Sequence, residues 1–107
     1  MDFALSPEQQ ALQAEITSFA YANLNEGLEE RDKAGVFPKD LWLKCGQPLL
    51  QGLAIEEAYG GRGLTPLDTI LGFEALGHGC KDQGLAFSIG AQLFACNIPI
   101  ALHGSTA

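Results

Sequence analysis

Basic side chains are scarce in this chain. Six lysines and arginines stand against thirteen aspartates and glutamates, for a formal net charge of −7. Long-range electrostatics therefore disfavours polyanions, and the sequence predicts no nucleic-acid partner and no binding to an anionic membrane surface. Cysteine is also sparse and shows no pattern. Cys45, Cys80 and Cys96 are odd in number, and no two stand at Cys-x-x-Cys spacing. That argues against a disulfide scaffold and against a zinc motif, so no metal is expected. Buried free thiols in a reducing compartment fit this usage best. The opening Met1-Asp2-Phe3 has no basic stretch, and helix-start residues follow at once, so the expectation is a cytoplasmic chain without a leader. No run is expected to be long and apolar enough to span a bilayer.

Apolar residues make up 47% of the chain and charged residues 18%, which is a core-forming composition and not a disordered one. A chain of 107 residues suits one domain with a modest stability margin. Ser6-Pro7-Glu8-Gln9 is a helix start: Ser6 can cap, Pro7 fits the first turn and Gln9 can close a capping box. Leu12, Ile16, Phe19 and Ala20 then recur at helical spacing. The stripe can continue through Leu24 and Leu28, which predicts one long amphipathic helix fading by Gly35. Leu41, Trp42 and Leu43 mark a short helix limited by Gly46 and Pro48, and Leu49 to Ile55 reads as irregular buried chain. Thr65-Pro66-Leu67-Asp68 repeats the start chemistry of the first helix. Leu67, Ile70, Leu71, Phe73, Ala75 and Leu76 populate more than one side of that helix and predict a central position. Asp82 can cap a further helix carrying Leu85, Phe87, Ile89, Leu93 and Phe94, with small residues between them, and Pro99 starts a last short turn. The expected fold is an all-α bundle of four or five helices.

Chemistry-bearing residues are few. Gly60-Gly61-Arg62-Gly63 lacks the Lys-Ser/Thr ending of a phosphate loop and the spacing of a dinucleotide fingerprint, so a structural turn is expected. Glu56 and Glu57 are adjacent and do not make a carboxylate pair by spacing. His78 sits at a helix end where it can cap carbonyls, and neither it nor His103 belongs to a ligand pattern. Glu74 lies in an apolar helix, where an ion pair or an exposed face accounts for it better than a general base. Phe87-Ser88 and Ala91-Gln92 form a mixed face at i, i+1, i+4 and i+5. Core packing is its default role, and small residues there leave room for a chain-like ligand.

The order of several weak motifs is more specific than any one of them. Phe3-Ala4-Leu5-Ser6-Pro7-Glu8-Gln9, Arg31-Asp32 with Gly35-Val36-Phe37-Pro38, Gly52-Leu53-Ala54, Glu57-Ala58-Tyr59-Gly60-Gly61-Arg62-Gly63-Leu64, Glu74-Ala75-Leu76-Gly77, Asn97-Ile98-Pro99-Ile100 and His103-Gly104-Ser105 occur in that sequence. Together they resemble the N-terminal helical domain of the acyl-CoA dehydrogenases, collinearly over nearly the whole chain. Glu56 stands where the family usually has proline, which predicts a looser loop. Ser18 stands where an arginine is common.

The resemblance implies the rest. Family members add a middle β-domain and a C-terminal helical bundle, neither of which has a counterpart in residues 1–107. FAD lies between those two parts, often at a subunit interface, so a homo-oligomer is implied. A glutamate of the C-terminal bundle takes the α-proton of an acyl thioester, and the flavin accepts the β-hydride. The substrate is an acyl-CoA or an acyl-carrier thioester. This stretch alone is then expected to be inactive, to hold no FAD and to contain no catalytic residue. By similarity, Phe87, Ser88 and Ala91 fall on positions lining the acyl end of the pocket, with Gln92 and Ala95 beside them. A different class of reading keeps the fold and drops the chemistry: a stand-alone helical interaction module.

Overall fold

A computed structural model describes residues 2–106 and contains five helices, with no strand among the described residues. Helix α1 spans Pro7–Asn23, α2 Leu28–Ala34, α3 Lys39–Lys44 and α4 Pro66–Gly79. Helix α5 runs unbroken over Gln83–His103. The bundle is a slab of 41 × 39 × 22 Å.

The capping box forms as the residue types dictate. Ser6 Oγ accepts from the Gln9 backbone N–H at 3.1 Å, and Gln9 Oε1 accepts from the Ser6 N–H at 2.9 Å. Gln9 Nε2 also donates to Asp68 Oδ1 at 2.8 Å, joining the starts of α1 and α4. Farther along, Gln13 donates to Leu71 O and Thr17 to Ala75 O, so the two helices run parallel. Leu12, Ile16 and Ala20 of α1 and Leu71, Gly72, Ala75 and Leu76 of α4 are buried in the seam. Gly79 is the closest approach, because a Cβ there would lie 2.6 Å from Thr17 O.

A parallel pair needs a long return, and residues 24–65 supply it. The apolar stripe of α1 does not continue into one long helix as its spacing suggests. The chain breaks after Leu24, and Gly27 takes a left-handed φ of 72° before α2. Tertiary bonds win over local periodicity here: Asn25 donates to Gly79 O and accepts from the Lys81 N–H, which turns the chain toward the α4–α5 corner. Arg31 closes the break by donating to Leu24 O and Glu26 O and by pairing with Asp82 at 3.1 Å. Leu50 and Leu53 are fully buried on and beside the short 3₁₀ turn Leu50–Gly52, matching the irregular buried chain expected there.

Helix α5 departs most from what its sequence predicts. Its middle, Ala91–Asn97, is a π-helix, and Pro99 lies inside the helix and does not begin a separate turn. The whole element carries no charged residue, and at mean hydropathy 1.7 it is long and apolar enough to cross a membrane by length and composition. This corrects the expectation that no run is long and apolar enough: Gly84, Ser88, Gly90, Gln92 and Asn97 interrupt the apolar residues without adding charge. In this fold Leu85, Ile89 and Leu93 of α5 pack into the core.

Helix α4 is not enclosed on all sides. Leu67 and Ile70 face solvent, as do Phe87, Ile100 and Leu102 of α5. Large contiguous apolar surface favours association, worth about 25 cal/mol per Å² buried before association costs. The chain by itself is therefore expected to self-associate. Light scattering after size exclusion over a range of concentrations checks this, and a clean monomer at high concentration contradicts it.

Candidate functional site

The outer face of α5 holds the residues singled out from sequence. Asp82 starts the helix by accepting from the Leu85 N–H at 3.0 Å, and burial of Leu85, Ile89 and Leu93 turns the opposite side outward. Phe87 stands on that side with 77% of its surface exposed, and Ala91, one turn on, is also exposed. Core packing is thus not the role of Phe87 in this chain. Ser88 is half-buried; its hydroxyl donates to Gly84 O at 2.8 Å and keeps its lone pairs free. It borders a hollow of about 300 Å³ together with Arg31, Val36, Phe37 and Asp82. Gln92 is half-buried, and its amide is held by Asn97 at 2.8 Å. Ala95 is exposed. The five positions therefore form one open strip, not an enclosed pocket.

A second, larger hollow of about 510 Å³ lies at the far end of α5, between Asn97, Ile100 and Ala101 and the glycine loop with Leu49, Ile55 and Tyr59. The loop beside it is built for packing. Gly60 and Gly63 have φ of 84° and 67°, and a Cβ on Gly61 would sit 2.1 Å from Ile55 O. Its amides are spent on its own carbonyls: Gly60 to Glu57 O, Gly61 to Glu56 O, Arg62 to Gly52 O and Gly63 to Ile55 O. None of these donors is left to cradle a phosphate. Glu56 has φ −58° and ψ 143°, which proline also adopts, and its carbonyl accepts from Tyr59 and Gly61. The loop is therefore held despite the missing proline, contrary to the looseness expected from Glu56.

The sequence profile "Acyl-CoA dehydrogenase, N-terminal domain" matches residues 6–107. The chain belongs to the acyl-CoA dehydrogenase family. Over 106 residues it is 36% identical to an L-prolyl-[peptidyl-carrier protein] dehydrogenase of Serratia, covering 99% of this chain and 28% of that protein. It is 35% identical to the mitochondrial isobutyryl-CoA dehydrogenase of Bos taurus over 85 residues, 79% of this chain and 20% of that one. Among solved structures, PigA with FAD and proline superposes with a TM-score of 0.94 at 36% identity, over 99% of this chain and 28% of PigA. The prolyl acyl carrier protein oxidase AnaB matches at 0.89 and 32% identity, over 96% and 27%. The chain thus spans a little over a quarter of these solved relatives, and its match is to their N-terminal domain.

Within this acyl-CoA dehydrogenase domain the remaining candidates separate clearly. PigA is solved with FAD, but the residues present here do not make a flavin site by themselves: the glycine loop has no free amides, and the α5 strip is open. Glu74, His78 and His103 are exposed. Cys45 and Cys80 are fully buried, as expected, but Cys96 is exposed on α5. Burial pushes the Cys45 thiol up to about 11, with Cys80 nearby adding to it, and burial raises Cys80 as well. Both stay protonated at neutral pH and are not nucleophiles there. The sequence placed Asn97 in a family motif without a role and gave no sign of Gln51, whose backbone oxygen accepts from Asn97 Nδ2 at 2.7 Å. Nothing in an α-helical reading links Gln92 with Asn97, so only the π geometry brings the pair to notice.

Proposed function

We propose that this chain is the acyl-pocket domain of an FAD-dependent dehydrogenase that introduces a double bond between Cα and Cβ of an acyl thioester. The observation that carries this reading is its match over 99% of its length to PigA with FAD and proline. FAD, held by segments outside residues 1–107, supplies the hydride acceptor, and no catalytic residue is assigned in this chain. Its own residues bind and shape. The Phe87 ring and the small Ala91 form an apolar wall that limits acyl length and width, Ser88 borders it, and Gln92 is held still beside it. A phenyl ring at 77% exposure is explained if a neighbouring domain and an acyl group cover it. Relatives named for carrier-protein and for CoA substrates both match, and the two prolyl-carrier dehydrogenases do so at 48% and 36% identity against 35% for the isobutyryl-CoA dehydrogenase, which favours a carrier-linked thioester. The buried thiols suit a cytoplasmic enzyme, and the exposed apolar side chains of α4 and α5 suit a homo-oligomeric one.

Phe87→Ala in the full-length enzyme tests the reading. The expected result is a shift of about tenfold in relative kcat/KM toward longer or bulkier acyl groups, the scale set by small changes of volume in an apolar pocket. The melting temperature of this domain by itself is expected to move little, because the exposed side chain leaves no cavity in its core. An unchanged substrate ranking in a folded variant contradicts it. The exposed apolar strip also suits the interaction-module reading, which gains if the reading frame ends at Ala107 and loses if a β-domain follows.

A further inference from the structure

The π segment of α5 is fastened by a polar clamp. Gln92 Nε2 donates to Asn97 Oδ1 at 2.8 Å, Asn97 Nδ2 donates to the Gln51 backbone oxygen at 2.7 Å, and Gln51 Nε2 donates to Trp42 O at 2.7 Å. In an α-helix, side chains five residues apart diverge by about 140° and cannot meet this way. In a π turn, where bonds run from i to i+5, they share a face. The Gln92–Asn97 bond thus exists only in the π register, and the Asn97–Gln51 bond ties that register to the 3₁₀ turn at Leu50–Gly52. Pro99 helps, because it has no N–H to return to Ala95 O and removes a bond that the α register would make. Both clamp residues are half-buried, so neither amide is freely replaced by water.

We infer that Asn97 is a positioning residue for acyl specificity: it holds α5 in the π register and so sets where Phe94 and Ala95 stand relative to Phe87 and Ala91, which are joined in α register by the Ala91 N–H to Phe87 O bond. The inference rests on reading α5 as the acyl wall. Without the clamp the helix relaxes toward α geometry, and the residues beyond Ala91 rotate against Phe87, because the same residues sweep a larger angle in the tighter turn. Phe94, which packs on Phe73 at 5.1 Å between ring centroids, leaves that contact.

The test is a double-mutant cycle in the full-length enzyme. Asn97→Ala, Gln92→Ala and the double variant are compared by the ratio of kcat/KM for a short and a long acyl thioester, with a crystal structure of Asn97→Ala. Leu12→Ala, a core truncation on α1, is the stability-matched control with an unchanged ratio. Expected are a shift of about tenfold in each single variant, no further shift in the double, and an α-helical trace through 91–97. A silent Asn97→Ala, additive shifts, or a retained π turn overturns the inference, because Gln92 then acts by touching substrate alone. Should Asn97→Ala fail to fold, Gln92→Ala and Gln92→Lys decide. The lysine can still donate to Asn97 Oδ1, so a restored ratio supports the clamp and an unrestored one overturns it. A wild type that consumes no acyl thioester overturns the function proposed above as well; an active wild type with unchanged variants overturns the clamp only.

Discussion

Gly61→Ala is expected to destabilise the chain by about 3 kcal/mol or more, at the upper end of overpacking substitutions. The added methyl would lie 2.1 Å from Ile55 O and 2.5 Å from both the Ile55 carbonyl carbon and Cβ. Two of these are backbone atoms, so no side-chain rotation relieves the clash. The bonds that stitch the loop would have to open, including Gly63 N–H to Ile55 O at 2.8 Å and Leu64 N–H to Leu53 O at 2.8 Å. Leu53 is fully buried, so the disturbance reaches the core. For a domain of this size such a loss lowers the melting temperature by more than about 10 °C. Thermal and denaturant unfolding check it. A variant as stable as the wild type that had lost affinity for a phosphate-bearing ligand would instead show that Gly61 serves a binding loop.

Arg31→Ala follows at about 2–3 kcal/mol. The guanidinium satisfies three partners, Asp82 Oδ2 at 3.1 Å, Leu24 O at 3.4 Å and Glu26 O. The ion pair is only partly exposed, at 17% and 14% of the two side chains. Removing one member of a fully buried pair costs about 3–5 kcal/mol, and residual solvent here reduces that. The loss should fall on the α1–α2 break and on the start of α5, since Asp82 also caps α5 through Leu85. Arg31→Lys should restore less than half of it, because a compact ammonium cannot bridge a carboxylate and two carbonyls. A double-mutant cycle with Asp82→Ala reads the coupling: fully additive losses would show that the pair contributes nothing. By contrast the exposed Lys33–Glu29 pair, 3.1 Å apart on α2, should be removable with little effect.

Much of the architecture was already legible in local chemistry. Ser6 with Gln9, Thr65 with Asp68 and Asp82 with Leu85 are side-chain-to-backbone bonds over three residues, so the sequence alone set where α1, α4 and α5 begin. The inward face Leu12–Ile16–Ala20 followed from helical spacing, whereas which apolar residues of α5 turn inward did not, and the glycine-dense loop read correctly as a turn. The collinear motifs were enough to point to the family that the profile over residues 6–107 establishes.

What the sequence did not determine depends on partners far along the chain. The end of α1 after Leu24 is decided by Asn25 meeting Gly79 and Lys81, more than fifty residues away, against a stripe that would have continued the helix. The outward face of Leu67 and Ile70 and the exposure of Phe87 could not be read from hydrophobicity, which says that a side chain prefers burial but not against which surface. The π turn of α5 is the clearest case. Periodicity assumes one residue spacing throughout, whereas Asn97 gains a bond to Gln51 across 46 residues only when that spacing changes. Local capping and periodicity thus placed the helices, and long-range hydrogen bonds decided where they break, which faces stay open and how the strip from Phe87 to Gln92 is presented.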